Sequence, residues 1–185
     1  MTASVDNILS VYHSATPAER TQGFYWYNEA HKLAWELDHK RPKAAAGVLA
    51  VLSPLLRWNK NVAYARIAYD LKGYDDVLSY VPCLDKNALK ALAIVNGASP
   101  EDIVSGQKVK SFWLNIIDPF NGDSQNVTVD KHALDIALGK RNAYGLGISR
   151  KRYREIAQMY VAAAGDLGIS PQQVQAITWV AWRNR

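Results

Sequence analysis

One cysteine, Cys83, in a chain of 185 residues excludes an internal disulfide framework, a cysteine-based zinc site and a four-cysteine iron–sulfur cluster. No disulfide-linked partner is expected either. Long apolar runs are also missing. The longest, Ala44 to Leu52, is too short to cross a bilayer, so no membrane partner is expected. Residues 1–10 carry Asp6 and no basic cluster, so they lack the form of a signal peptide, and a cytoplasmic location is expected. Histidine is sparse: His13, His31, His39 and His132 show no metal-ligand spacing, and no metal or cofactor is expected. Period-two alternation is almost absent, with Asn126 to Val129 the only strand-like piece. There is no internal repeat and no low-complexity tract.

What remains is a globular composition, 49% apolar and 21% charged. The length suits one domain, or two small lobes on one chain. The net charge of +5 is modest, but its placement is uneven. Residues 41–72 carry a net +5 and residues 142–185 a net +4, around a nearly neutral 103–141. The first basic block holds Arg41, Lys43, Arg57, Lys60, Arg66 and Lys72. The second is dense at Arg150, Lys151, Arg152 and Arg154. Such blocks suit phosphate contacts on nucleic acid, and they equally suit solvated helix faces.

The pattern is helix after helix. Val5, Ile8, Leu9 and Tyr12 form one apolar stripe. Thr16-Pro17-Ala18-Glu19 is a capping box with proline at the first helical position, and predicts a long helix over 17–38. Phe24, Tyr27, Leu33 and Leu37 are among its apolar positions. Lys43 to Leu52 is too alanine-rich for a strand and predicts a buried helix. Further helices are predicted over 58–71, stopped by Gly73, and over 84–96. A short one begins at Ser99-Pro100, and others cover 109–117, 130–138, 150–167 and 170–183. The expected fold is all-α, a single domain of nine or ten helices.

The informative stretch is Ser99 to Leu138: short helix, glycine turn, helix, loop, then Val127-Thr128-Val129-Asp130-Lys131-His132-Ala133. It resembles the helix-hairpin-helix DNA glycosylases of the endonuclease III type. Gly106-Gln107-Lys108 matches the end of their hairpin, Val109 to Ile117 the next helix, and Val129-Asp130-Lys131-His132 their aspartate segment. Ala50-Val51-Leu52-Ser53-Pro54 followed by Trp58-Asn59-Lys60-Asn61-Val62 is similar to their early helix pair. The resemblance covers residues 43–140, which would form the glycosylase-like core. The N- and C-terminal helices would pack as a second lobe, with a cleft between the two. Three features depart from the pattern. The earlier hairpin glycine falls on Val104, the lysine-to-aspartate spacing is 22 positions, longer than usual, and the C-terminal iron–sulfur cysteines of some members are absent. The resemblance therefore implies a member without an iron–sulfur cluster.

It also implies a chemistry. Breaking a glycosidic bond develops positive charge on the sugar, which a carboxylate at C1′ stabilises, and Asp130 is the candidate. A neutral lysine amine can attack C1′ to form a Schiff base, and Lys108 is the candidate. To attack, it must be neutral, which would require burial or nearby positive charge, such as Lys110 two residues on. The amides at Gly106, Gln107 and the start of the following helix would bind phosphate. Lys110, Arg57, Lys60, Arg150, Lys151 and Arg152 would grip the backbone. A duplex substrate needs a wedge to fill the gap left by a flipped base, and six Trp and ten Tyr do not single one out. Simpler roles stand beside these: Asp130 as a helix N-cap, Lys108 as a solvated first-turn lysine, His132 as a packing residue. Tyr25-Trp26-Tyr27 and the segment Trp179 to Arg183 read as core.

Three functions are compatible with these residues. The first is a DNA glycosylase or glycosylase/lyase acting through Lys108 and Asp130. The second is a bacteriophage enzyme processing hypermodified thymine in DNA, since Leu52-Ser53-Pro54, Trp58 to Asn61 and Gln175 to Trp182 resemble the α-glutamyl/putrescinyl-thymine pyrophosphorylases. The third is a non-catalytic DNA-binding or host-interaction protein on the same scaffold. DNA is the expected partner in each.

Overall fold

The computed structural model describes residues 2–72, 85–122, 124–142 and 148–185. Among these residues the structure is helical, with no strand, and it has eleven helices. They are α1 (Val5–Ser14), α2 (Pro17–Phe24), α3 (Trp26–Leu37), α4 (Pro42–Leu52), α5 (Trp58–Asp70), α6 (Asp85–Val95), α7 (Pro100–Ile103), α8 (Gln107–Ile117), α9 (Lys131–Leu138), α10 (Arg150–Leu167) and α11 (Pro171–Arg183). Cys83 and the helix stop expected at Gly73 lie outside the described residues. None of the helices among these residues is long and apolar enough to cross a membrane. The chain divides into two compact units, residues 1–28 with 119–185, and residues 29–118.

Three of the caps read from sequence are in place, while Ser99, expected to cap the short helix, makes no side-chain cap bond and donates its hydroxyl to Glu101 at 2.7 Å. Thr16 and Ser170 form complete capping boxes, and Ser149 accepts from the Arg152 amide at 3.2 Å. The single long helix expected over 17–38 is two helices, which raises the count from ten to eleven. The chain breaks at Tyr25, which leaves helical geometry at φ −94° and ψ 2°. Phe24, expected inward, is exposed, while Tyr27 is buried. The reason is tertiary. Gly23 lies against the backbone of Ile177 on α11, so α2 is pinned at its end.

In the first unit, α1, α9, α10 and α11 enclose a core that includes Ile8, Leu134, Ile136, Ile156, Tyr160 and Ile177. The strand-like Val127–Val129 pairs with no strand. It is a tight turn in this core, with the Val129 amide donating to the Val127 carbonyl at 3.1 Å, and it is held by the Tyr153 hydroxyl, which accepts from the Val129 amide at 3.2 Å and donates to the Val127 carbonyl at 2.8 Å. Thr128, between them, reaches the Tyr27 hydroxyl at 3.1 Å, which donates to Gln175 Oε1 at 2.9 Å.

In the second unit, α4 is the central helix and packs against α5, α6, α7 and α8. Ala44 to Leu52 are all buried, as the alanine-rich segment predicts. Trp113 of α8 donates its indole N–H to the Lys43 carbonyl at 3.0 Å. Much of the first basic block is consumed here. Arg41 bridges to Asp38 at 3.2 Å and donates to the Val95 carbonyl at 2.9 Å, which closes the end of α6. Arg66 lies 3.9 Å from Glu36, and Lys43 pairs with Glu101.

The Lys43 ammonium, with the Ser99 hydroxyl, holds the Glu101 carboxyl down at about 2. Its folded value lies below the ordinary 4.5, so this pair contributes above 4.5 and is lost as pH falls toward 2. Both side chains are about half exposed, which limits the contribution to roughly 1 kcal/mol or less. Thermal unfolding of Lys43→Met should therefore match wild type at pH 2 and fall slightly below it at pH 7. The opposite order would remove this pair from the stability balance.

Candidate DNA interface

The hairpin lies in the second unit. Ser99 and Pro100 start α7, a single turn that ends on Val104, whose amide donates to the Pro100 carbonyl at 2.8 Å. Val104 adopts φ −69°, an ordinary conformation for any residue, and its side chain is buried. The backbone therefore does not require the glycine that the glycosylase pattern places there. Gly106 does require one. Its φ is +84°, in the left-handed region, and a Cβ there would meet nothing within 4 Å, so conformation and not space selects the residue.

Gly106 turns the chain into α8 and gives it no side-chain cap. The first helical bond is Lys110 amide to Gly106 carbonyl, at 2.9 Å, so the amides of Gln107, Lys108 and Val109 precede the ladder. Aligned peptide dipoles add a partial positive charge at this end. Gln107 and Lys110 are exposed and Lys108 is half-buried. Arg57 and Lys60, at the start of α5, are also exposed and, unlike Arg41, Lys43 and Arg66, form no ion pair among the described residues.

Asp130 lies in the first unit, as the N-cap of α9. Its Oδ1 accepts from the His132 and Ala133 amides, at 2.9 Å each. The cap role is therefore real, and it falls on one carboxylate oxygen. Val127–Val129, clasped by Tyr153, delivers Asp130 to this position. His132 follows on the first turn. Burial pushes its imidazole below the ordinary 6.5, against the opposing pull of the Asp130 carboxylate. Its ring meets the edge of Trp179, with centroids 6.4 Å apart, and the Arg183 guanidinium lies over the Trp179 ring at 4.4 Å. Trp179 is only partly buried, at the edge of the core.

Arg150, Lys151 and Arg152 form the first turn of α10, also in the first unit. Cations here oppose the helix dipole. The nearest acid, Glu155, is 3.9 Å from Lys151, and both are largely exposed. Lys108 and Asp130 thus belong to different units, and each has a defined local setting. Among the described residues no three His, Cys, Asp or Glu side chains cluster as a metal site would require.

Two features were not legible from sequence. Leu55 sits in the α4–α5 connection at φ +65° and is 80% exposed. A left-handed leucine costs about 1–2 kcal/mol, and nothing apolar is gained by exposing its side chain. The other feature is the start of α6, where Lys86, Asn87 and Lys90 stand beside Ser105 and Gly106.

The sequence model of a family of unknown function, DUF7178, matches residues 1–185. No curated protein matches the chain. No solved structure matches it.

Proposed function

We propose that this chain, which belongs to the DUF7178 family, is a DNA-binding protein that grips the phosphate backbone through its hairpin and acts on a base. The observation that carries this reading is the Gly106 turn, which presents three unladdered amides at the uncapped start of α8. Arg57, Lys60 and Lys110 are exposed on the same unit and supply the charge that non-specific backbone binding needs. Leu55, exposed in a strained turn, is suited to enter a base stack as an apolar wedge. In the first unit, Asp130 keeps an oxygen outside its cap bonds, which suits stabilisation of a developing sugar cation. Lys108 is the amine for a lyase step. The resemblance to the endonuclease III type supports glycosylase or glycosylase/lyase chemistry, and the phage thymine-processing enzymes supply a variant on the same scaffold.

A second reading, DNA binding without chemistry, is favoured by the completeness of the Asp130 cap, which accounts for the residue without catalysis. Base release from DNA carrying modified pyrimidines separates the two. Wild type should release base, Asp130→Asn should bind with similar affinity and release none, and borohydride should trap wild type but not Lys108→Gln on abasic DNA. Tight binding with no release on any substrate leaves the second reading standing. No binding at low salt removes both.

A further inference from the structure

Beside the hairpin, a groove of about 320 Å³ opens entirely within the second unit. Val51, Pro54 and Val109 give it an apolar side. Its polar side combines the α6 residues Lys86, Asn87 and Lys90 with Ser105 and Gly106 of the turn. Among the described residues no acid lines it. Lys90 donates to the Ser105 hydroxyl at 2.7 Å, which holds its ammonium over the turn. Lys86, one helical turn earlier on the same face of α6, is exposed.

Asn87 is the decisive residue. It is 6% exposed, it lines the groove, and its Nδ2 has no hydrogen-bond partner among the described residues. A buried amide donor left unpaired costs about 1–3 kcal/mol, and such groups are rare in the absence of a ligand or water. The neighbouring polar groups are mostly donors: two ammonium groups, a hydroxyl and the backbone of the Gly106 turn. An acceptor-only, negatively charged group satisfies these donors, and a neutral or cationic ligand satisfies few.

We propose that this groove is a phosphate-binding site in which α6 forms the second wall of the hairpin clamp. Asn87 Nδ2, Lys86 and Lys90 hold one side of the phosphate, and Ser105 and Gly106 of the turn hold the other. The occupant is a backbone phosphodiester of DNA, which rests on the functional reading above. The apolar side, with Pro54 leading into exposed Leu55, is suited to the sugar next to that phosphate. The clamp separates roles among the lysines of this unit: Lys86 and Lys90 position the strand, and Lys108, which does not line the groove, is left for chemistry.

The test uses the intact chain with two probes, inorganic phosphate and a 12-nucleotide DNA in single- and double-stranded form. Phosphate should shift the Gly106 and Gln107 amide resonances and the Asn87 side-chain amide. Lys86→Gln/Lys90→Gln should lower DNA affinity about tenfold at moderate salt and reduce the log–log salt slope on duplex DNA by about 0.9, as the loss of one neutralised phosphate requires. Asn87→Asp, nearly the same shape, should repel the ligand. Circular dichroism checks that each variant folds, and the lysine pair, partly or fully exposed, covers the case in which Asn87→Asp does not. DNA binding that is unchanged in the double variant, with no phosphate-induced shift, overturns the clamp and leaves the DNA reading intact. Phosphate shifts at Asn87 without any DNA binding keep the site and overturn its assignment to DNA. No response to either probe overturns both.

Discussion

Tyr153→Phe is expected to lower stability by about 1–2 kcal/mol, because it removes two buried hydrogen bonds at once, each worth about 0.5–1.5 kcal/mol. The Val129 amide and the Val127 carbonyl are left with the 3.1 Å bond they make to each other, at sites where both residues are about 98–99% buried. No strand pairs with this segment, so no ladder takes over. The effect reaches the candidate catalytic residue. Val127–Val129 leads directly into Asp130, and loosening it blurs the position of a carboxylate that must sit within about 0.5 Å to act. Urea unfolding should show the loss, and base release should fall further than DNA affinity, since the hairpin lies in the other unit. A variant within about 0.5 kcal/mol of wild type would show that water replaces the hydroxyl and that the clasp is dispensable.

Gly23→Ala is expected to destabilise despite placing a better helix former in α2. Alanine gains up to about 1 kcal/mol over glycine inside a helix. Here its Cβ would fall 2.3 Å from Ile177 Cα and 2.6 Å from Ile177 N. Those are backbone atoms of α11, which cannot swing aside as a side-chain tip can. Overpacking of this kind costs about 3 kcal/mol, and the net loss should be roughly 2 kcal/mol. Gly165, in α10, has nothing within 4 Å of its Cβ position, so Gly165→Ala should show the propensity gain alone. Thermal melts of the two variants should move in opposite directions. If Gly23→Ala is neutral or stabilising, α2 and α11 are not in contact through this residue.

The helical character was legible because it is written in local chemistry. Thr16, Ser149 and Ser170 cap the helices that follow them, and Pro17, Pro100 and Pro171 occupy first turns where a missing amide costs nothing. Asp130 as a cap was equally legible, from an acid between an extended run and a helix. The glycine turn at Gly106 was visible as a residue, while its φ of +84° explains why the residue is needed. The candidate site was legible only in part. Asn87 reads in sequence as an ordinary polar residue of an amphipathic helix. Its importance comes from burial beside a turn 19 positions later in the chain, a pairing no local pattern encodes. Leu55 reads as one apolar residue among several, and only its backbone angle and exposure mark it.

By itself, then, the sequence determined that this protein is all-helical, where most helices start, and which residues carry charge. Those properties depend on contacts within three or four residues, which the chain specifies directly. The tertiary structure decided three other matters. It split the long helix at Tyr25, because Gly23 meets α11. It turned a strand-like segment into a clasped arm that presents Asp130. It neutralised Arg41, Lys43 and Arg66 with nearby acids while leaving Arg57 and Lys60 exposed. Each outcome depends on which distant groups are close enough to clash, bond or pair, and only packing sets those distances.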